Sequence, residues 1–280
     1  MPLSVYALFY FVRGRKFKTN NRMKQTEMKT PITYYGGKQQ MSKIIIPLIP
    51  EHHIYSEAFF GGGAIFFAKE PSKVEFINDA NGQIVNFYKV IKRQFAALKD
   101  EVDCTLHSEL QHQQAKEIYF KGADENAVVK AWAVWMLSQQ SFYSIFGNSW
   151  KCAKDRNMAK TIQSKKEQFD ERYVKRLEAT SIFCRDALDV IVKTDRVDAF
   201  HYIDPPYFNS DMGHYGGYTA DDFEKLLQVC SQLKGKFMLS SYPSDLLYKY
   251  AHKHGWKVKE YNLNRPAGKG RKVEVLTMNY

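Results

Sequence analysis

From residue 54 onward the chain alternates short apolar runs with stretches whose apolar residues recur every three or four positions. Short continuous apolar runs predict strands buried on both faces, and the 3.6-residue period between them predicts helices. Together they form the pattern of βαβ units around a largely parallel sheet. The predicted strands are Ile54–Glu57, Val74–Asn78, Ser181–Cys184, Ala199–Ile203, Lys236–Ser240, Trp256–Tyr261 and Glu274–Asn279. Ile84, Phe87, Tyr88 and Ile91 keep helical spacing after the second strand. Phe223, Leu226, Leu227 and Leu233 follow the acidic pair Asp221-Asp222, whose carboxylates suit a helix N-terminus. The interval from Glu101 to Glu178 breaks this rhythm. It is rich in helix formers and carries the aromatic block Trp132, Trp135, Phe142, Tyr143, Phe146 and Trp150, and so predicts an inserted helical subdomain.

Charge changes this picture at two places. Of the net +11, residues 1–29 hold seven basic side chains against Glu27 alone, and residues 151–176 hold nine Lys or Arg against four acids. Arg265, Lys269, Arg271 and Lys272 add a third group without an acid. Basic patches on a nearly neutral body fit an anionic partner such as nucleic acid, and equally fit solvated helix faces. Residues 1–29 lack amphipathic periodicity and read as a flexible basic tail, with Met23 and Met28 as candidate internal starts and the tail expected to be dispensable. No apolar run approaches the roughly 20 residues of a membrane helix, and no export signal is read. Cys104, Cys152, Cys184 and Cys230 are scattered without zinc-ligand spacing, which suits a reducing, cytoplasmic setting and no metal.

Candidate chemistry clusters at predicted strand ends. Glu57-Ala58-Phe59-Phe60-Gly61-Gly62-Gly63 follows the first strand, where bare backbone lets a nucleotide-like ligand approach closely; the same glycines also read as a tight turn. Asp79 ends the second strand, where a carboxylate can accept both hydroxyls of a ribose. No Gly-x-Gly-x-x-Gly and no Gly-Lys-Ser/Thr is present, which favours an adenosyl cofactor over a pyrophosphate one. Upstream, Tyr34-Tyr35-Gly36-Gly37-Lys38 brings an ammonium and aromatic faces to one small ligand, Lys38 suiting its carboxylate.

Ala199–Ile203 leads directly into Asp204-Pro205-Pro206-Tyr207. The prolines fix their own φ and hold Asp204 and Pro205 extended, leaving the Asp204 carboxylate and the Pro205 carbonyl as rigid acceptors. Two acceptors suit the two hydrogens of an aromatic amine: accepting both favours a pyramidal nitrogen whose lone pair can attack a sulfonium methyl. Tyr207 offers a stacking face for a base extruded from a duplex. Taken alone, the tetrapeptide reads equally as a strand-to-loop turn.

Together these segments resemble the Dam-like, alpha-class DNA N6-adenine methyltransferases, over residues 30–280. Tyr34–Lys38 is similar to that family's N-terminal cofactor motif, with Tyr34 where Trp is common, and Glu57–Gly63 to its Phe-x-Gly-x-Gly loop, with Ala58 where Pro is usual. Asn78-Asp79 resembles the ribose-binding position, Phe183-Cys184-Arg185-Asp186 the strand end whose acid reaches the cofactor adenine, and Asp204–Tyr207 the catalytic motif. Leu239–Tyr242 and Lys272–Tyr280 also look like family segments. The resemblance implies a Rossmann-like α/β fold with an inserted target-recognition subdomain. It implies S-adenosyl-L-methionine as cofactor, held by Tyr34, Tyr35, Gly36, Gly37, Lys38, Glu57, Phe59, Gly61, Gly63, Asp79, Asp186 and Asp204. Catalysis then falls to Asp204, Pro205, Pro206 and Tyr207. Residues 30–100 and 179–280 become the catalytic domain and residues 101–178 the reader of double-stranded DNA, with Asn148, Lys151 and Arg156 as contacts and a restriction endonuclease as a partner. Alternatives are a methyltransferase of RNA adenine or protein glutamine, or an inactive DNA-binding relative.

Overall fold

In the computed structural model, residues 28–208, 217–264 and 271–280 are described. Most of the basic tail, together with Arg265 and Lys269, lies outside them. Among the described residues seven strands form one sheet: β1 (Ile54–Glu57), β2 (Val74–Asn78), β3 (Thr180–Phe183), β4 (Ala199–Ile203), β5 (Lys236–Ser241), β6 (Lys257–Asn264) and β7 (Arg271–Met278). Their order is β3-β2-β1-β4-β5-β7-β6. Pairing from β3 through β5 is parallel, and β7 is antiparallel to both β5 and β6. The fold is thus Rossmann-like α/β, mostly parallel. Strand order reverses between β1 and β4, whose carboxyl ends lie side by side with Glu57 opposite Tyr202; such a switch point opens the crevice where open α/β sheets bind ligands.

The helices are α1 (Ser42–Ile45), α2 (Ala64–Ala68), α3 (Gly82–Cys104), α4 (Glu109–Lys121), α5 (Ala127–Gln140), α6 (Met158–Glu167), α7 (Arg172–Leu177), α8 (Ala187–Thr194), α9 (Ala220–Cys230) and α10 (Asp245–His254). Their starts follow local chemistry. Asn81, Ser108, Asn126, Ser244 and Asp186 each accept from a first-turn amide, and Thr219 and Asp222 form a reciprocal capping box. Leu233 lies three residues beyond the end of α9, in the turn before β5, where it still packs on the core.

Side chains alternate across the sheet and build a core on each face. Phe200, Tyr202, Met238, Leu276 and Met278 join one core, while Ile203, Phe237, Leu239 and Val275 join the other. The first core also takes in Trp132, Trp135, Phe146 and Phe169 from the segment between α3 and β3, so that segment packs continuously with the sheet. Its central helix α5 is buried from Ala131 to Gln140, which explains why its sequence is apolar on nearly every side. Phe142 and Tyr143 differ from the rest of the aromatic block: they are 46% and 43% exposed. Tyr143 and Ser144 adopt positive φ (55° and 58°), a conformation uncommon for non-glycine residues.

Candidate functional site

At the carboxyl ends of β1, β2 and β4 lies a cavity of about 1200 Å³. Every residue of the sequence-predicted cofactor and catalytic sets lines it: Tyr34–Lys38, Glu57, Phe59, Gly61, Gly63, Asp79, Asp186 and Asp204–Tyr207. Its volume exceeds the roughly 300–1,000 Å³ of a pocket for one small ligand, leaving room for a cofactor and a base together. Asn148, Lys151 and Arg156 do not line it; Tyr143 does. Asn148 donates its side-chain amide to the Phe142 carbonyl (3.1 Å), and the backbone N–H of Lys151 donates to the Gln140 carbonyl (2.7 Å). Arg156 is exposed beside Asp155.

The glycine loop is bare for steric reasons. Gly61 and Gly63 have φ of 48° and 65°, and a Cβ on Gly63 would meet the Phe60 ring at 2.5 Å. Phe60 is itself locked among Phe66, Phe67 and Tyr88, so it cannot yield cheaply. Asp79 braces this loop, accepting from Gly61 N–H and Asn81 N–H, both at 2.8 Å. A carboxylate has about four lone-pair positions, so acceptor capacity remains for a ligand's hydroxyls. Asn78 ties the two strand ends together, donating to the Ala58 and Arg185 carbonyls and accepting from Arg185 N–H. Asp186 caps α8 by accepting from Leu188 and Asp189 N–H. Bare backbone, a braced diol acceptor and the size of the cavity all fit S-adenosyl-L-methionine.

Glu57 ends β1 in burial, accepting from the Tyr55 hydroxyl at 2.7 Å. Burial pushes its carboxyl up to about 8, reinforced by the nearby Asp204 and opposed by the Tyr55 hydrogen bond. Folding therefore takes up a proton between the ordinary carboxyl range and about pH 8, and the stability this gives is present at low pH and lost as pH rises through that window. Glu57→Gln, which keeps the neutral form at every pH, is expected to flatten the fall in melting temperature between pH 6 and 9. An unchanged slope would assign that proton elsewhere.

At the β4 end the structure adds what the sequence did not name. The Lys38 ammonium, only 6% exposed, donates to Asp204 Oδ1 at 2.8 Å and to the Gly36 carbonyl at 3.3 Å, and lies 3.5 Å from Glu274 Oε1. It thus meets the Asp204 carboxylate, beyond the role of holding a cofactor carboxylate. The Tyr207 hydroxyl reaches Asp204 Oδ1 (3.1 Å) and, more closely, Glu274 Oε1. Lys272 reaches Glu274 Oε2 at 3.5 Å, and Tyr242 meets the Tyr207 ring edge-on. Burial raises the Asp204 carboxyl above the usual range; Lys38 opposes that shift and Glu274 adds to it. Burial also works against the Lys38 charge, but Asp204 and Glu274 outweigh it and hold its pKa above the usual value. Glu274 carries a readable signal: it shares a strand face with Leu276 and Met278, both core residues, so a carboxylate stands in an apolar row.

Residues 34–264 match the family described as D12 class N6 adenine-specific DNA methyltransferase. The chain is 28% identical over 272 residues to the type II methyltransferase M1.LlaDCHI of Lactococcus lactis subsp. cremoris, covering 88% of this chain and 93% of that protein. Among solved structures, a precorrin-6y C5,15-methyltransferase of Geobacter metallireducens GS-15 aligns with TM-score 0.36 and 11% identity over 86% of this chain and 85% of that one. An rRNA methylase of Streptococcus thermophilus aligns with TM-score 0.34 and 8% identity over 85% and 93%. The chain belongs to the D12 class of N6 adenine-specific DNA methyltransferases, enzymes that use S-adenosyl-L-methionine to methylate adenine at specific sites in double-stranded DNA.

Proposed function

We propose that Asp204 and the Pro205 carbonyl accept the two hydrogens of the adenine N6 amine while Tyr207 stacks on the extruded base. The observation that carries this reading is the placement of Asp204: rigid between strand and prolines, with Oδ1 held by the Lys38 ammonium, it keeps its second oxygen for the amine. Tyr34, Tyr35, Gly36, Gly37, Lys38, Glu57, Phe59, Gly61, Gly63, Asp79 and Asp186 hold the cofactor, Asp79 taking its ribose and Asp186 its adenine. When bound, S-adenosyl-L-methionine supplies a sulfonium methyl that the N6 lone pair attacks, the C–S electrons remaining on sulfur. The proton then lost by the methylated nitrogen passes to Asp204 and on to solvent.

We assign residues 30–100 and 179–280 to the catalytic domain and residues 101–178 to DNA recognition. Asn148 is bonded to Phe142 within the turn that carries Phe142 and Tyr143, Lys151 follows that turn and Arg156 lies five residues further along the chain, and the basic stretch from Lys151 suits duplex phosphates. The strained backbone of that turn, with Tyr143 lining the cavity, supports a position for it against the extruded base. The relative named a type II methyltransferase supports pairing with a restriction endonuclease. Among the described residues no helix is long and apolar enough to cross a membrane, and the reading places the enzyme in the cytoplasm.

No metal enters this reading, because the sulfonium is already an activated electrophile and both acceptors come from the chain. The test uses radiolabelled S-adenosyl-L-methionine with duplex DNA, RNA and protein acceptors, with and without EDTA, followed by nucleoside analysis. Label in N6-methyladenine of DNA at equal rates in both arms is expected. Label confined to RNA or protein would overturn the substrate assignment, and loss of activity with EDTA would overturn the metal-free mechanism.

A further inference from the structure

Glu274 lies outside the residues matched to the family, is 0% exposed, and stands on β7, which runs antiparallel beside β5 so that its first half reaches the carboxyl ends of the parallel strands. A buried carboxylate persists only where charges and donors compensate its lost hydration. Here the Tyr207 hydroxyl and Lys38 do so at Oε1, while Oε2 has the Lys272 charge at 3.5 Å but no hydrogen bond among the described residues; Asp204 and the Tyr202 hydroxyl are the other titratable groups facing it. The Tyr207 hydroxyl has one proton and two carboxylate acceptors within reach, Asp204 at 3.1 Å and Glu274 closer. Whichever carboxylate receives that proton becomes the weaker acceptor for anything else.

We propose that Glu274 is a positioning residue for methyl transfer: it draws the Tyr207 proton to itself and so leaves Asp204 the stronger acceptor for the target amine. The proposal rests on the reading of Asp204 given above. It also explains how Tyr207 can serve as a fixed wall, since its hydroxyl is tethered while its ring lies edge-on to Tyr242 (4.5 Å between centroids) and beneath the Lys38 ammonium (4.8 Å). Glutamine at position 274 keeps the shape but competes poorly for the proton, which then falls to Asp204.

Two variants test this by single-turnover methylation of an adenine-containing duplex across pH, alongside cofactor affinity. Glu274→Gln is expected to slow transfer about tenfold and to move the acid limb of the rate about one unit lower, because Asp204 loses an anionic neighbour and gains a donor. Its cofactor affinity is expected to stay within about threefold, since Glu274 acts on Asp204 through the Tyr207 hydroxyl. Tyr207→Phe is expected to leave the limb in place, because the proton it removes belongs to Glu274; it stands independently should the glutamine variant fail to fold. Wild-type rate and limb in Glu274→Gln, or a limb about one unit higher in Tyr207→Phe, would overturn the proposal. Wild-type protein that leaves DNA adenine unmethylated would instead overturn the assigned role of Asp204.

Discussion

Asp204→Ala is expected to bind S-adenosyl-L-methionine within a few-fold of wild type yet lose about 10²–10⁴-fold in single-turnover methyl transfer, the range typical of a positioned proton acceptor. The asymmetry follows from the site's layout. The glycine loop and Asp79 are organised by β1, β2 and their own hydrogen bonds, none of which involves Asp204. Nor does the substitution orphan a buried charge, because Lys38 retains Glu274 Oε1 at 3.5 Å and the Gly36 carbonyl. The Asp204 carboxyl is raised in the fold by burial and by Glu274, so its ionised form is held at a cost to stability. Calorimetric titration of the cofactor and rapid-quench methylation check the two halves separately. Full activity, or loss of cofactor binding in step with activity, would remove Asp204 from its role as acceptor.

The parts of this site that the sequence made legible are those fixed by local chemistry. β1, β2 and β4 match their predicted bounds because each is a short, largely buried run, closed by Glu57 and Asn78 in the first two and by the Asp204-Pro205 step that follows Ile203 in the third. The prolines after Asp204 have their φ fixed by the ring, and Gly61 and Gly63 permit the positive φ that the loop adopts. At the antiparallel edge the bounds drift: β6 starts after Trp256 and runs to Asn264, its alternation of Lys257, Lys259 and Glu260 with Val258 and Tyr261 marking a strand without marking its ends. What the sequence withheld was pairing across distance. Lys38 and Asp204 are separated by 166 residues, and Tyr207 and Glu274 by 67; no periodicity records which ammonium meets which carboxylate. The exposed Phe142 and Tyr143 were hidden differently, standing within a block whose other aromatics, apart from Trp150, are core.

Lys38→Gln separates two roles for this lysine that the sequence could not tell apart. If its ammonium chiefly holds the cofactor's carboxylate, the variant should bind S-adenosyl-L-methionine more weakly while the pH dependence of transfer stays where it is. The geometry favours a second effect, because Lys38 Nζ stands 2.8 Å from Asp204 Oδ1 and opposes the rise that burial imposes on that carboxyl. Without it, two buried carboxylates face each other across the Tyr207 hydroxyl, with Lys272 at the rim as the cation beside them among the described residues. A cation beside a carboxylate commonly lowers its pKa by about 1–3 units, so its removal should carry the acid limb of single-turnover methylation upward by that order. Each unit by which the limb passes the working pH costs about tenfold in the ionised fraction of Asp204. Activity lost at pH 7 should then return as pH rises, which a defect of cofactor binding alone would not allow. Lys38→Arg keeps the charge and is expected to keep the limb near its wild-type position even where its different shape slows transfer. An unmoved limb in Lys38→Gln at saturating cofactor would leave Lys38 as a cofactor ligand only and detach it from the chemistry at Asp204. A limb moved upward, set against the downward displacement expected of Glu274→Gln, would show that the acceptor strength of Asp204 is set by one cation and one anion pulling in opposite directions.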